Sequence, residues 1–127
     1  MDCKPPYDVV VDVPGPTILT PNYRNYGYEP NLDCQLTLSF EDKIAIVFED
    51  FSLQNGSSCQ YDWLEVHHGD VSNSDLIGQK LCGNDIPSPI ESIGNSMTLV
   101  FHSDNNFGRG IFDRGSRGFK IVAHQGT

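Results

Sequence analysis

The chain has 127 residues, a formal net charge of −9 at pH 7 and four cysteines. That length is one domain's worth. The acidic balance excludes nucleic acid and anionic membrane surfaces as partners, since both need positive charge, and no apolar run is long enough to insert in a bilayer.

Helical periodicity is nearly absent. Apolar and polar residues alternate in short runs separated by Gly, Pro, Asn and Asp, which predicts an all-β fold. Residues 9–13 are the first short candidate strand. In the run from Cys34 onward, Leu36, Leu38 and Phe40 share one face, and Ile44, Ile46 and Phe48 do so in the next. Residues 63–67 and 76–81 are shorter candidates. Met97, Leu99 and Phe101 mark a later strand, and Phe119 and Ile121 the last. Alternation means one face packs inward and the other meets solvent. So many short strands need a second sheet to cover them, which predicts a sandwich. The expected core includes Phe48, Phe51, Trp63, Leu64, Val66, Leu99 and Phe101. Three loops, 21–30, 54–61 and 105–118, are where function is expected.

Four cysteines in so short a chain predict two disulfides in an oxidising compartment. Zinc would need closely spaced Cys or His pairs, and no two cysteines here are close. Composition leaves three connectivities open. No charged-then-apolar leader is present. Met1 before Asp2 therefore reads as the start of an excised fragment whose secreted parent carries its signal elsewhere.

Several segments recur in a telling order. Thr20-Pro21-Asn22-Tyr23 leads into Asn31-Leu32-Asp33-Cys34. The aromatic run from Phe48 to Phe51 leads into Cys59-Gln60-Tyr61-Asp62-Trp63-Leu64-Glu65-Val66, and then Leu81-Cys82-Gly83. Ser92-Ile93-Gly94-Asn95-Ser96-Met97-Thr98-Leu99 leads to Phe101-His102-Ser103-Asp104. Together they resemble a CUB domain, over nearly the whole chain. The resemblance implies a single domain over 1–127 with a core at about 3–122. It implies two antiparallel sheets in a jelly-roll-like sandwich and the pairings Cys3–Cys34 and Cys59–Cys82.

The resemblance also implies calcium, a hard cation that takes six to eight oxygens. Asp62 and Asp104 match the family's two aspartates. Tyr28 matches its tyrosine, counting back from Cys34 with one inserted residue, and Tyr26 is the alternative. Asn105 and Asn106 offer a carbonyl and an amide oxygen. The family's glutamate position, eight residues before Asp62, is Gln54 here. Loss of that charge points to a weak site, roughly 0.1–1 mM. Without a metal, Asp62 and Asp104 would simply bond loop amides. Glu29 and Asp33 are further acids nearby.

In the 105–118 loop, Arg109, Arg114 and Arg117 crowd around Ile111 and Phe112. One reading makes the arginines contacts for an acidic partner with Phe112 as an apolar anchor. The other has them pair with the domain's own excess acid. Asn55-Gly56-Ser57 is a glycosylation sequon beside Gln54. Catalysis fits poorly: His67, His68, His102 and His124 are scattered, and no nucleophile elbow or His-Glu-x-x-His run exists.

The expected function is an extracellular protein-interaction module, not an enzyme, from a larger secreted or membrane-anchored protein. Its partner would be another extracellular protein engaged through a Lys or Arg. The alternatives are a carbohydrate- or glycosaminoglycan-binding domain using the arginine-rich loop, and a structural or regulatory spacer in a protease or receptor.

Overall fold

The alternating runs become strands. A computed structural model of the chain describes residues 8–10, 17–20, 23, 28, 31–54, 57–69, 76–104 and 117–126. Its strands are β1 (Asp8–Val10), β2 (Thr17–Leu19), β3 (Asp33–Ser39), β4 (Ile44–Ser52), β5 (Trp63–His68), β6 (Ile90–Glu91), β7 (Ser96–His102) and β8 (Gly118–Gln125). They form two four-stranded sheets, ordered β1-β3-β7-β5 and β2-β8-β4-β6. Pairing is antiparallel except for β1, which lies parallel to β3.

The inner faces follow the period-two pattern. Leu36, Leu38, Leu64, Val66, Met97, Leu99 and Phe101 come from one sheet. Ile18, Ile44, Ile46, Phe48, Phe51, Phe119, Ile121 and Ala123 come from the other, and all are buried. Each large side chain withdrawn from water contributes about 1.5–3 kcal/mol. Phe51 stacks on Phe119, which meets Phe101 edge-on, so aromatic rings bridge the two sheets.

Phe48 and Phe51 are three residues apart, which would put them on opposite faces of a regular strand. A register shift between Phe48 and Asp50 removes the conflict: Phe48 pairs with Ile121, Asp50 with Lys120 and Phe51 with Phe119. The extra residue of this bulge is Glu49. Both phenylalanines turn inward.

Two expectations are corrected. Residues 76–81 do not form a strand; they make only isolated bridges to β5, Leu76 with His67 and Leu81 with Leu64. Gly78, at φ 77°, turns the chain between them and breaks the pairing. Trp63 is not a core residue. It lies on the outer face of its sheet, stacked on His102 at 4.3 Å with the Lys80 ammonium over its ring. Its parity decides this, because Leu64 and Val66 take the inward positions of β5. Residues 17–19 and 90–91, for which the sequence pattern gave no strand, are short strands held by β8 and β4. Of the residues 9–13 proposed as a strand, 9 and 10 lie in β1, and 11–13 lie outside the described residues.

Cys59 and Cys82 are bonded, with Cα atoms 5.6 Å apart. Beside the bridge, Leu53 and Gly83 exchange backbone hydrogen bonds of 3.0 and 3.1 Å, as do Leu64 and Leu81. The disulfide thus clips the excursion between β4 and β5 to the 81–83 segment. Cys34 is buried and also disulfide-bonded. Cys3, its expected partner, lies outside the described residues.

Candidate functional site

Register places several chain segments at one end of the sandwich. The start of β3, the end of β7 and the start of β5 align, since Asp33 and Trp63 both pair with His102. The described residues just beyond these ends, 28, 31–32, 103–104 and 57–62, therefore converge. Ladder-like bonds continue there: Ser103 N–H donates to the Leu32 carbonyl, and Asn31 N–H to the Asp104 carbonyl.

Asp62 is the centre. It is fully buried. The Tyr28 hydroxyl donates to its Oδ2 at 2.5 Å, and the Asp104 N–H donates to its Oδ1 at 2.9 Å. The same Tyr28 hydroxyl accepts the Gln54 N–H at 2.9 Å. Tyr28 is fixed by its ring, which meets Phe101 edge-on at 5.1 Å. Sequence-distant Tyr28, Gln54, Asp62 and Asp104 are thus joined by one hydrogen-bond chain. The side-chain Oε1 of Gln54 is buried and meets no hydrogen-bond partner among the described residues. A buried acceptor left unpaired is costly.

The donor set is all oxygen, which suits a hard cation such as calcium. Among the described residues, no three of His, Cys, Asp and Glu gather as ligands. Among the described residues, the oxygens available at this end are those of Asp62, Asp104 and Gln54. Each carboxylate oxygen has two lone-pair directions, so hydrogen bonds to Asp62 do not exhaust it. Asn55, Asn105, Asn106, Tyr26 and Glu29 lie outside the described residues. Asp33 is not part of the cluster: its carboxylate, 82% exposed, meets His102 Nδ1 at 2.7 Å on the outer face.

Arg117 is the one arginine of the 105–118 loop among the described residues, and it turns to the domain's own acid. Its Nε donates to Asp50 Oδ2 at 2.7 Å, and its terminal nitrogen to Asp50 Oδ1. Of the two readings of the arginines, this geometry accords for Arg117 with pairing to the domain's own acid. A bidentate fork on a carboxylate is the favoured geometry for guanidinium, and it uses the groups a partner would need. Arg109, Phe112 and Arg114 lie outside the described residues.

The Tyr23 hydroxyl also donates to Asp50 Oδ2, at 2.5 Å. The Arg117 hydrogen bonds hold the Asp50 carboxyl down at about 2, against the upward push of burial, and the Tyr23 bond adds to the drop. Asp50 in turn raises Arg117 above its ordinary value. Sequence reasoning passed over Asp50. A signal was present, because two phenylalanines three apart on one face demand an extra residue between them. That bulge turns Glu49 and Asp50 out together.

Comparison with known proteins is consistent with this layout. A family model for the CUB domain matches residues 8–121. The chain is 35% identical over 97 residues to human tolloid-like protein 1, covering 75% of this chain and 9% of that protein. It is 38% identical over 87 residues to ovochymase of Halocynthia roretzi, covering 65% of this chain and 6% of that protein. The chain thus spans a small part of these relatives. Among solved structures, the MASP-1 CUB2 domain bound to Ca2+ is similar at a TM-score of 0.68 and 27% identity, covering 85% of this chain and 89% of that one.

Proposed function

The chain belongs to the CUB domain family, a family of non-catalytic, protein-interaction modules, and from that premise we propose that it binds a basic extracellular protein at the Asp62 end of the sandwich, with calcium. The observation that carries this reading is the buried Asp62 cluster with the unsatisfied Gln54 Oε1 beside it. The MASP-1 domain of similar fold is calcium-bound, which supports extending the metal to this chain.

The residues have distinct roles in this reading. Asp62 and Asp104 are the carboxylate ligands, and Gln54 offers a neutral oxygen where the family pattern has glutamate. Tyr28 orients Asp62 through its hydroxyl and holds the Gln54 backbone in place. Calcium, when bound, supplies the positive charge that lets two carboxylates share one loop end. A carboxylate oxygen at the rim then meets a partner's Lys or Arg. The chain's net charge of −9 speeds encounter with a basic partner and makes binding weaken as salt rises.

Calcium calorimetry and melting curves test this. Calcium at about 100 times Kd stabilises the fold by ~2.7 kcal/mol through mass action. Asp104→Ala should abolish the rise and also the calcium-dependent capture of a Lys-rich peptide. Gln54→Glu should tighten the site by restoring a third carboxylate. No calcium response in either the parent or Gln54→Glu overturns the proposal.

A further inference from the structure

The strand ends that present the Asp62 cluster also meet on the outer face of their sheet. Asp33, His102 and Trp63 form the last rung of both ladders, since β3 and β5 begin there and β7 ends there. Lys80 extends the row from the segment beside β5, where Leu81 exchanges hydrogen bonds of 3.0 and 2.9 Å with Leu64. The side chains of the row touch in sequence. The Lys80 ammonium lies over the Trp63 ring, 3.7 Å from its centre. That ring stacks on His102 at 4.3 Å, and His102 Nδ1 meets Asp33 Oδ1 at 2.7 Å.

Strand ends open most easily, because a terminal rung has a neighbour on one side only. Here the residues next along each strand carry the cluster. Asp62 directly precedes Trp63, and side chains alternate, so the carboxylate turns into the buried interior as the indole turns outward. Ser103 and Asp104 directly follow His102. Ser103 N–H donates to the Leu32 carbonyl, and Leu32 N–H donates to Ser103 Oγ at 2.9 Å. Asp104 N–H donates to Asp62 Oδ1, and Asn31 N–H closes the set on the Asp104 carbonyl. The row and the cluster are thus joined by adjacent residues of the same strands.

The contacts of the row differ in weight. Trp63 and His102 are directly opposite across β5 and β7, the arrangement in which ring pairs support a sheet. Lys80 adds cation–π attraction to the same indole. The Asp33 carboxylate is 82% exposed, so solvent screens its pairing with His102 and it adds little. We propose that Trp63 and Lys80 clamp this terminal rung and thereby hold the Asp104 N–H on Asp62. Both are positioning residues, set on the opposite face of the sheet from the cluster. The clamp acts whether or not a metal occupies the cluster.

Amide exchange measured by NMR on the 127-residue chain, without calcium, tests the clamp. The near-end reporters are the Asn31, Ser103 and Asp104 amides. The Phe40 amide, which donates to the Asn95 carbonyl at 3.0 Å, reports the opposite end of the same β3–β7 pair, and the Leu99 amide its middle. Lys80→Met keeps an unbranched apolar stem and removes the cation. It should speed near-end exchange about 3-fold and leave Phe40 and Leu99 unchanged. Trp63→Leu removes the ring from both contacts and should speed near-end exchange about 10-fold. Trp63→Phe returns a ring to the row and should recover most of the protection. Near-end rates that stay at the parent value in both Lys80→Met and Trp63→Leu overturn the clamp. So does an acceleration shared equally by Phe40 and Leu99, which is general destabilisation, or a Trp63→Phe chain that exchanges as fast as Trp63→Leu.

Discussion

Tyr28→Phe removes one oxygen and leaves the ring against Phe101. That oxygen serves two groups: it donates to the buried Asp62 Oδ2 and accepts from the part-buried Gln54 N–H. A hydrogen bond to a charged group contributes about 1.5–3 kcal/mol, and a buried N–H left without an acceptor costs about 1–3 kcal/mol. The two effects share one atom and are not additive. The expected loss is about 2–4 kcal/mol. Urea unfolding checks it: the midpoint should fall with the slope unchanged, since the area exposed on unfolding is the same. Far-ultraviolet circular dichroism should still report the sandwich. A loss below about 1 kcal/mol would refute the reasoning, because water would then be replacing both bonds and the cluster could not be a sealed one.

Two further outcomes follow from other parts of the fold. The Cys59–Cys82 bridge spans a sequence separation of 23, which corresponds to ~3 kcal/mol in the chain-entropy account. The double variant Cys59→Ser, Cys82→Ser should therefore melt well below the parent by calorimetry, and an unchanged midpoint would contradict this. For Asp50, the folded carboxyl lies at about 2 against an ordinary 3.8, so its stabilisation is present above pH 3.8 and lost as pH falls through about 2. The drop sets an upper bound of ~2.5 kcal/mol. Solvent around Arg117, whose side chain is 39% exposed, screens this to about 1 kcal/mol. Stability measured against pH should show the gap between parent and Asp50→Asn constant above pH ~5 and closing from pH ~4 to ~2; a gap that persists at pH 2 would refute the assignment.

The sandwich and most of its strands are legible in the residue pattern alone. Leu36 with Leu38, Ile44 with Ile46, and Met97 with Leu99 and Phe101 announce inward faces, because strand side chains alternate with period two whatever the tertiary context. Family resemblance placed Asp62, Gln54, Tyr28 and Asp104 in one candidate site, and the fold links these four by hydrogen bonds. Other features had no local signal. Strands β2 and β6 are too short to show a period, and pairing with β8 and β4 defines them. Trp63 looked like core by composition, yet parity in β5 set by Leu64 and Val66 turned it outward. The basic loop leaves Arg117 open to a partner or to the domain's own acid, and the carboxylate it meets lies 67 residues away in β4. Which charges meet across such distances depends on how the sheets stack and where the bulge falls, and only the tertiary structure decides that.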